Sequence, residues 1–265
     1  MNLRDITPLI LTFNEEANIG RCLQALHWAS QIVVMDSGST DGTLALLAAD
    51  PRVRVVHRPF DDASSQCNHG LLEVTTPWVL SLDADYLVTS LWVDEVAGLE
   101  VPEGTHGYAS GFEYWVMGAA LSRSLYPPRT VLYRRAKAHY VQDGHTQRVC
   151  IDGGVGGLRS SICHDDRKDI GRWLSSQHRY ARQEAEKLLS LPSHQLNLQD
   201  RLRRTGWASL PAVLVYTLFW QGLIFDGWRG LHYAWQRLIA ECLLALALIE
   251  RRQRVAVDQR SANGS

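Results

Sequence analysis

The sequence predicts an α/β fold with a mostly parallel central sheet flanked by helices, and three observations lead there. Short apolar runs of strand length recur at 7–13, 32–35, 53–57 and 78–82, rich in Val, Ile and Leu. Runs without polar alternation mark strands buried on both faces, as parallel sheets require. Segments with apolar residues at helical spacing lie between them, and strand–helix alternation at this interval builds a parallel sheet with right-handed crossovers. Finally, the polar loops after the first, second and fourth runs fall at carboxyl ends of strands, where open parallel sheets bind ligands.

The first strand, TPLILTF (7–13), stops at Asn14-Glu15-Glu16. Ile19, Leu23 and Leu26 then recur at helical spacing, predicting a helix over 17–28. Asn14 or a neighbouring acid is a candidate cap, and acids in a first turn suit the helix dipole. The second strand, 32–35, is closed by DSGSTDGT (36–43), a small polar loop leading into a helix over 44–49; the same residues also serve as plain turn formers. The third strand, 53–57, precedes a polar stretch and a helix over 63–72. The fourth run, WVLSLDADYLV (78–88), is broken by Asp83-Ala84-Asp85. If the chain stays extended there, alternation puts both carboxylates on one side and Ala84 on the other. Paired hard oxygens suit Mg²⁺ or Mn²⁺, held by one or two carboxylates plus phosphate oxygens. An ordinary solvated turn is the alternative.

Composition narrows the class. With 265 residues, 46% hydrophobic and 21% charged, the chain is globular and long enough for one large α/β domain with additions, or two small ones. A net charge of −1 argues against general nucleic-acid binding, which needs a basic face. Five scattered cysteines without CxxC fit free thiols in a reducing cytosol and give no support to a zinc site or disulfide framework. The opening MNLRDI lacks the apolar stretch of a signal peptide, so a cytoplasmic N-terminus is expected. Neither GxGxxG after the first strand nor GxxxxGK[ST] is present, which removes the dinucleotide fingerprint and the P-loop.

TPLILTFNEEANIGRCL, then IVVMDSGSTDGT, then WVLSLDAD, in that order and spacing, resemble family 2 glycosyltransferases with the GT-A fold, in particular the shorter lipopolysaccharide-core and cell-envelope members. The three motifs cover about the first third of the chain. The resemblance implies that Thr12, Asn14 and Glu15 line a nucleotide pocket and that Asp36 bonds the base edge, with Asp41 in the same loop. Arg58, Gln66 and Asn68 lie in the stretch that completes that pocket. Asp83 and Asp85 match the DxD motif, which holds Mg²⁺ or Mn²⁺ on the donor diphosphate, where the metal offsets charge on the leaving group.

Beyond residue 88, an aromatic stretch over 107–117 and TVLYRR (130–135) read as strands separated by a loop. The resemblance makes this the acceptor half, with Tyr114, Trp115, Arg123, Tyr126 and Arg129 as candidates for stacking on sugars and reading phosphate. Each aromatic serves equally as core filling. VQDGHTQRV (141–149) is where a catalytic base is expected. Relatives carry a His-Glu pair there, and this chain has Thr146-Gln147; because Gln cannot act as a base, Asp143 and then His145 become the candidates. His145 also reads as a structural histidine. GGVGG (153–157) predicts a turn between short strands. His164, after a late strand, resembles the third metal or diphosphate ligand of some GT-A enzymes, and Asp165 and Asp166 are candidate caps for a helix over 170–189.

The last third changes character. After a polar linker (191–200) and Arg201, Arg203 and Arg204, residues 205–225 contain no charge, but Pro211, Gln221 and Gly222 interrupt them. A second apolar block, 238–249, contains Glu241 and is too short to span a bilayer, which takes roughly 20 residues. With Arg251, Arg252 and Arg254 beyond it, the pair predicts an interfacial or re-entrant hairpin on the cytoplasmic membrane surface, or else a buried helix pair. The expected organisation is a catalytic domain over 1–190 (nucleotide-sugar half 1–88, acceptor half 89–190), a helical docking region over 191–256 and a disordered tail over 257–265. The expected function is metal-dependent, inverting transfer from a nucleotide sugar, UDP-sugar foremost, to a lipid-linked or envelope-glycan acceptor. An inactive membrane-docked binder and a nucleotidyltransferase are the alternatives. The sequence leaves the oligomeric state open.

Overall fold

The computed structural model describes residues 1–123, 126–143 and 146–263, with the backbone alone at 146 and from 255 onward. It divides into two compact units, Met1–Ala120 with Ser124–Arg167, and Leu121–Arg123 with Lys168–Ser265. The boundary thus falls ahead of the expected residue 190.

In the first unit, β1 (Ile6–Thr12), α1 (Ile19–Ala25), β2 (Ile32–Asp36), α2 (Thr43–Ala48), β3 (Val53–His57), α3 (Ala63–Glu73) and β4 (Trp78–Asp83) alternate as the apolar pattern predicts. After the two-residue β5 (Tyr86–Leu87) come α4 (Ser90–Ala97), β6 (Thr105–Ser110), β7 (Phe112–Val116), β8 (Ala119–Ala120), β9 (Arg129–Arg134), β10 (Ala138–Asp143), β11 (Thr146–Ile151), β12 (Gly154–Gly157) and β13 (Ile162–His164). The main sheet has the order β12-β6-β9-β4-β1-β2-β3. Within it only β9 runs antiparallel to its neighbours, pairing with β4 and β6.

Both faces of the central strands are buried, which is why their sequences read as unbroken apolar runs. Ile10, Val34 and Leu80 face one layer with Ile19, Cys22 and Leu23 of α1 and Trp92 of α4. Leu9, Val33 and Val79, one residue away on the same strands, face the other layer with Cys67 and Leu71 of α3. Period-two alternation thus fills two cores from one strand, each fully buried aliphatic side chain contributing about 1.5–3 kcal/mol.

Three local expectations are revised. The aromatic stretch 107–117 is two strands, because the chain changes sheets at Gly111: β6 pairs with β9, whereas β7 joins a separate sheet of order β5-β13-β7-β8. Gly154–Gly157 is an edge strand rather than a turn. It crosses the Tyr108 ring so closely that a Cβ on Gly156 would lie 2.8 Å from it, so glycine is what this strand requires. The fourth run does not stay extended through Asp85; it turns at 84–85 before β5.

The second unit is helical: α5 (Ile170–Ser190), α6 (Leu198–Arg204), α7 (Ser209–Val215) and α8 (Gly227–Asn263). Ala181, Ala185 and Leu188 of α5 pack against Leu244 and Leu248 of α8. Arg203 of α6 binds Glu184 at 3.2 Å and Glu241 at 3.0 Å, which accounts for the acid inside the second apolar block. Asp169, not Asp165 or Asp166, caps α5, accepting from Arg172 N at 3.0 Å. α8 continues to Asn263, into the tail expected to be disordered; no Gly or Pro interrupts residues 231–263. α7 runs through a π turn (Tyr216–Trp220) and the left-handed Gly222 into a 3-10 turn (Leu223–Asp226) leading to α8. Among the described residues no single helix is long and apolar enough to cross a membrane; Ser209–Trp220 and Leu223–Arg254, bent by 71°, are so only as a pair.

Gly230 sits where α8 meets that turn, and a Cβ there would lie 1.8 Å from the Leu223 carbonyl oxygen. Backbone cannot yield as a side chain does, so Gly230→Ala is expected to destabilise the second unit by about 2 kcal/mol or more, read by thermal unfolding.

Candidate active site

The loops after β1 and β2 are built from each other. Asn14 has φ 57°, a left-handed conformation that Asn tolerates better than most residues. Its Oδ1 accepts from Thr40 N at 2.7 Å and Asp41 N at 3.3 Å, and its own N–H donates to Ser39 Oγ at 2.8 Å. Asn14 is therefore a clamp on the β2–α2 loop and not the cap of α1, whose N-cap position is Asn18. Glu15 N donates to Thr43 Oγ1 at 2.7 Å, tightening the same clamp.

Asp36 is fully buried beneath this loop. Its oxygens accept from Thr12 Oγ1 (3.2 Å), Ser39 Oγ (2.5 Å), and the N–H groups of Gly38 and Ser39 (2.9 Å each). Burial alone would push its pKa up, but these donors outweigh it and hold the carboxyl below the ordinary range. Asp36 and Thr12 thus shape the loop from inside, and Asp36 turns inward instead of presenting its carboxylate to a base.

The β3–α3 stretch is also largely scaffold. Gln66 is buried, and its Nε2 donates to the carbonyls of Arg58 (2.9 Å) and Pro59 (3.2 Å). Asn68 exchanges two bonds with the Tyr140 backbone, at 2.8 and 2.9 Å, which docks β10 on α3. Both residues were expected in a nucleotide pocket; the Asn68 amide and the Gln66 Nε2 are engaged with backbone, whereas Gln66 Oε1 is buried without a hydrogen-bond partner among the described residues. Arg58 makes a two-pronged pair with Asp61 at 2.7 and 2.6 Å.

Asp83 and Asp85 gather the chemistry. Burial, and next the charge of Asp85, raise the pKa of Asp83, while Arg129 and His164 oppose the rise. His164 Nε2 lies 3.2 Å from Asp85 Oδ2, and its Nδ1 is buried without a hydrogen-bond partner among the described residues. The imidazole is walled by the rings of Tyr114, Tyr86 and Tyr126 at 4.8–5.3 Å between centroids. The hydroxyls of Tyr86 and Tyr126 hydrogen-bond each other. Arg129 stacks over Tyr126 at 4.6 Å. Burial would lower the pKa of Arg129, but Tyr126, Tyr86, Asp83 and Asp85 raise it on balance. Two like charges in a buried corner are what a divalent cation relieves, and their oxygens suit Mg²⁺ or Mn²⁺. Among the described residues no three His, Cys, Asp or Glu side chains converge as a ready cage. The residues present therefore fit a carboxylate site completed by ligand oxygens, with His164 Nε2 beside Asp85.

A network unforeseen in the sequence holds this corner to α1. Arg21 donates to Asp165 Oδ2 at 2.5 Å and to the Asp165 carbonyl at 2.8 Å, and Asp165 N donates to the Asp85 carbonyl at 3.1 Å. Buried Asn18 donates to Glu15 and Asp166 at 3.0 Å each and accepts from Arg21 at 2.8 Å. Arg167 adds a second ion pair to Asp165 at 3.0 Å. The only sequence signal was Asn18 and Arg21 one helical turn apart, with nothing to name their partners 144–149 residues away.

Of the expected acceptor residues, Tyr114, Tyr126 and Arg129 join the corner. Trp115 is on β7 with its Nε1 3.5 Å from Glu113, and Arg123 belongs to the second unit. Asp143 ends β10 opposite Thr146, in a two-stranded sheet of its own with β11, where Gln147 pairs with Gln142. His145 lies outside the described residues.

The sequence model described as Glycosyl transferase family 2 matches residues 9–162. Lipopolysaccharide core biosynthesis glycosyltransferase LpsC of Rhizobium meliloti (strain 1021) is 31% identical over 176 residues, which are 60% of this chain and 62% of that protein. The chain thus spans less than two thirds of that relative. Among solved structures, S. aureus TarS 1-349 in complex with UDP-GlcNAc is similar at 14% identity and a TM-score of 0.48, covering 94% of this chain and 91% of that one. Glucosyl-3-phosphoglycerate synthase from Mycobacterium tuberculosis, in complex with Mn²⁺, UDP and glucosyl-3-phosphoglycerate, is similar at 17% identity and a TM-score of 0.46, covering 67% and 78%.

Asp165→Ala removes the carboxylate partner of the partly buried Arg21, so a loss of about 3 kcal/mol is expected in denaturant unfolding. Asp36→Asn keeps an amide oxygen for the two N–H groups but loses the charge they bond and sets an NH2 against the Thr12 and Ser39 hydroxyls that now donate, and it is expected to cost about 2 kcal/mol at neutral pH. Because the folded pKa of Asp36 is lowered, its contribution is present above the unfolded value near 4 and is lost as pH falls through the folded value. Stability curves of the two proteins should converge in acid; a gap that persists there refutes the assignment.

Proposed function

This chain belongs to glycosyl transferase family 2 and has the GT-A fold, and we propose that it transfers a sugar from a UDP-sugar to a lipid-linked or cell-envelope glycan acceptor, with metal dependence and inversion at the sugar carbon. The observation that carries this reading is the carboxylate pair Asp83 and Asp85 at the carboxyl end of a strand buried on both faces, inside the matched span. Asp83 and Asp85 would hold Mg²⁺ or Mn²⁺, which when bound supplies Lewis-acid neutralisation of the donor diphosphate. His164 orients Asp85, and Arg129 offers a fixed cation for charge developing on the leaving nucleotide. The clamped loops at Asn14, Glu15 and Ser37–Ser39, with Arg58, form the nucleotide wall, shaped from beneath by Thr12 and Asp36.

In an inverting step a base takes the acceptor hydroxyl proton as that oxygen attacks the sugar carbon opposite the nucleotide. The bond to the diphosphate breaks, and its electrons stay with the diphosphate. Asp143 is proposed for the base, with His145 next, since Gln147 has no basic lone pair to offer. Tyr126 and Trp115 are proposed for the acceptor. The acceptor class is supported by the likeness to the lipopolysaccharide core glycosyltransferase over 60% of this chain.

A thermal-shift screen of UDP-, GDP-, CMP- and dTDP-sugars with and without Mn²⁺ tests the donor assignment, because ligands that bind the native state raise its melting temperature. A UDP-sugar is expected to raise it only with the metal, and Asp83→Asn or Asp85→Asn is expected to abolish the shift. An undiminished shift in both variants overturns the metal assignment. Asp143→Asn is expected to lower turnover by about 100-fold or more with the donor shift intact; full activity moves the base elsewhere. A metal-dependent shift without transfer to any acceptor would favour a binder without turnover, for which the Thr146-Gln147 departure speaks.

A further inference from the structure

The second unit carries an aromatic surface that its own core leaves uncovered. Trp207, Phe219, Trp220, Phe225, Trp228 and Trp235 are all more than half exposed, Trp220 at 81% and Phe225 at 91%. They occupy one stretch of chain, from just before α7, round the bent turn, to the second turn and beyond of α8. Scattered exposed apolar residues need no explanation, but a concentrated set does.

The turn is built to project them. Gly222 and Gly227 both take positive φ, at 73° and 62°, and reverse the chain within a few residues. Leu223 is fully buried beneath, against the position where only Gly230 fits. The one carboxylate of the turn, Asp226, is tied down by the N–H and hydroxyl of Ser122, both at 3.0 Å. Polar groups are thus bonded within the unit while the rings at 220 and 225 point away from it. Around them, residues 205–225 hold no charge, and the next charged residues after Asp226 are Arg229 and Arg237. Arg229 stacks on the Trp228 ring at 4.8 Å.

We propose that this surface seats in the headgroup layer of an anionic lipid bilayer, lying in the interface without spanning it. Amphipathic rings beside arginines are the composition that layer takes, the rings at the acyl boundary and the guanidinium groups against lipid phosphates. The cations beside the rings, Arg229 and Arg237, outnumber the one carboxylate, Asp226, and this favours an anionic headgroup surface over a second copy that carries the same charges. No single described helix is long and apolar enough to cross a membrane, and the two segments that are so together are bent by 71°. Apolar insertion plus basic attraction supplies the two signals that stable peripheral binding needs.

The test is co-sedimentation of the full chain with phosphatidylethanolamine–phosphatidylglycerol vesicles, beside pure phosphatidylcholine vesicles. Binding to the anionic vesicles is expected, and Trp220→Ser/Phe225→Ser should weaken it by about tenfold or more. Arg229→Gln should weaken it by about fivefold on anionic vesicles only. Both ring positions are too exposed to carry packing, so the melting temperature should not move; if it does, Trp207→Ser/Trp235→Ser replaces the pair. Unchanged vesicle binding in a folded ring variant overturns the proposal. So does concentration-dependent self-association, abolished by the ring variant, in a chain that ignores vesicles. Vesicle binding is read without donor or turnover, so its failure is distinct from failure of the transferase reading.

Discussion

The first unit is arranged around a cost: two carboxylates, Asp83 and Asp85, held where a doubly buried strand leaves the core. Burial and mutual repulsion both favour the protonated form of Asp83, so a metal-free corner of this kind is electrostatically strained. The surroundings answer that strain. Arg129 brings a cation on an aromatic platform, His164 brings an imidazole bonded to Asp85, and the tyrosines keep both in place. A divalent ion with a diphosphate would complete the neutralisation.

Such a corner needs fixed walls, and the structure provides them with polar residues that look dispensable in the sequence. Asp165 serves no cap; it is a buried anchor that joins α1 to the segment carrying His164, through Arg21 on one side and the Asp85 backbone on the other. Asn14 and Asp36 likewise fold these loops onto each other, and Asn68 and the Gln66 Nε2 bond backbone. Residues whose type suggested contact with a nucleotide turn out to hold the backbone that would make that contact. A clamped loop loses little entropy when ligand arrives, and that is an advantage in a site that must orient two substrates.

The helical unit follows a different logic. Its core is the aliphatic seam of α5 and α8, pinned by the half-buried Arg203 with the buried Glu184 and Glu241. The Gly-rich turn before α8 does the opposite of core building, since it sends aromatic rings outward. One chain thus combines a site that concentrates buried charge with a region that concentrates exposed apolar surface.

The strands, the alternation with helices and the carboxylate pair at 83 and 85 were legible in the sequence, because burial on both faces imposes unbroken apolar runs and hard-ligand sites impose acids where those runs end. The family was legible for the same reason: three motifs sit at three strand ends in fixed order. The sequence alone could not tell that Asp36 faces inward, that Asp165 pairs with Arg21, that Gly154–Gly157 is an edge strand, or that the chain changes sheets at Gly111. Each of these depends on a neighbour far along the chain, and a side chain's partner is set by where the backbone returns. Local pattern determined which segments form and which atoms are available; the tertiary structure decided which of those atoms are already spent.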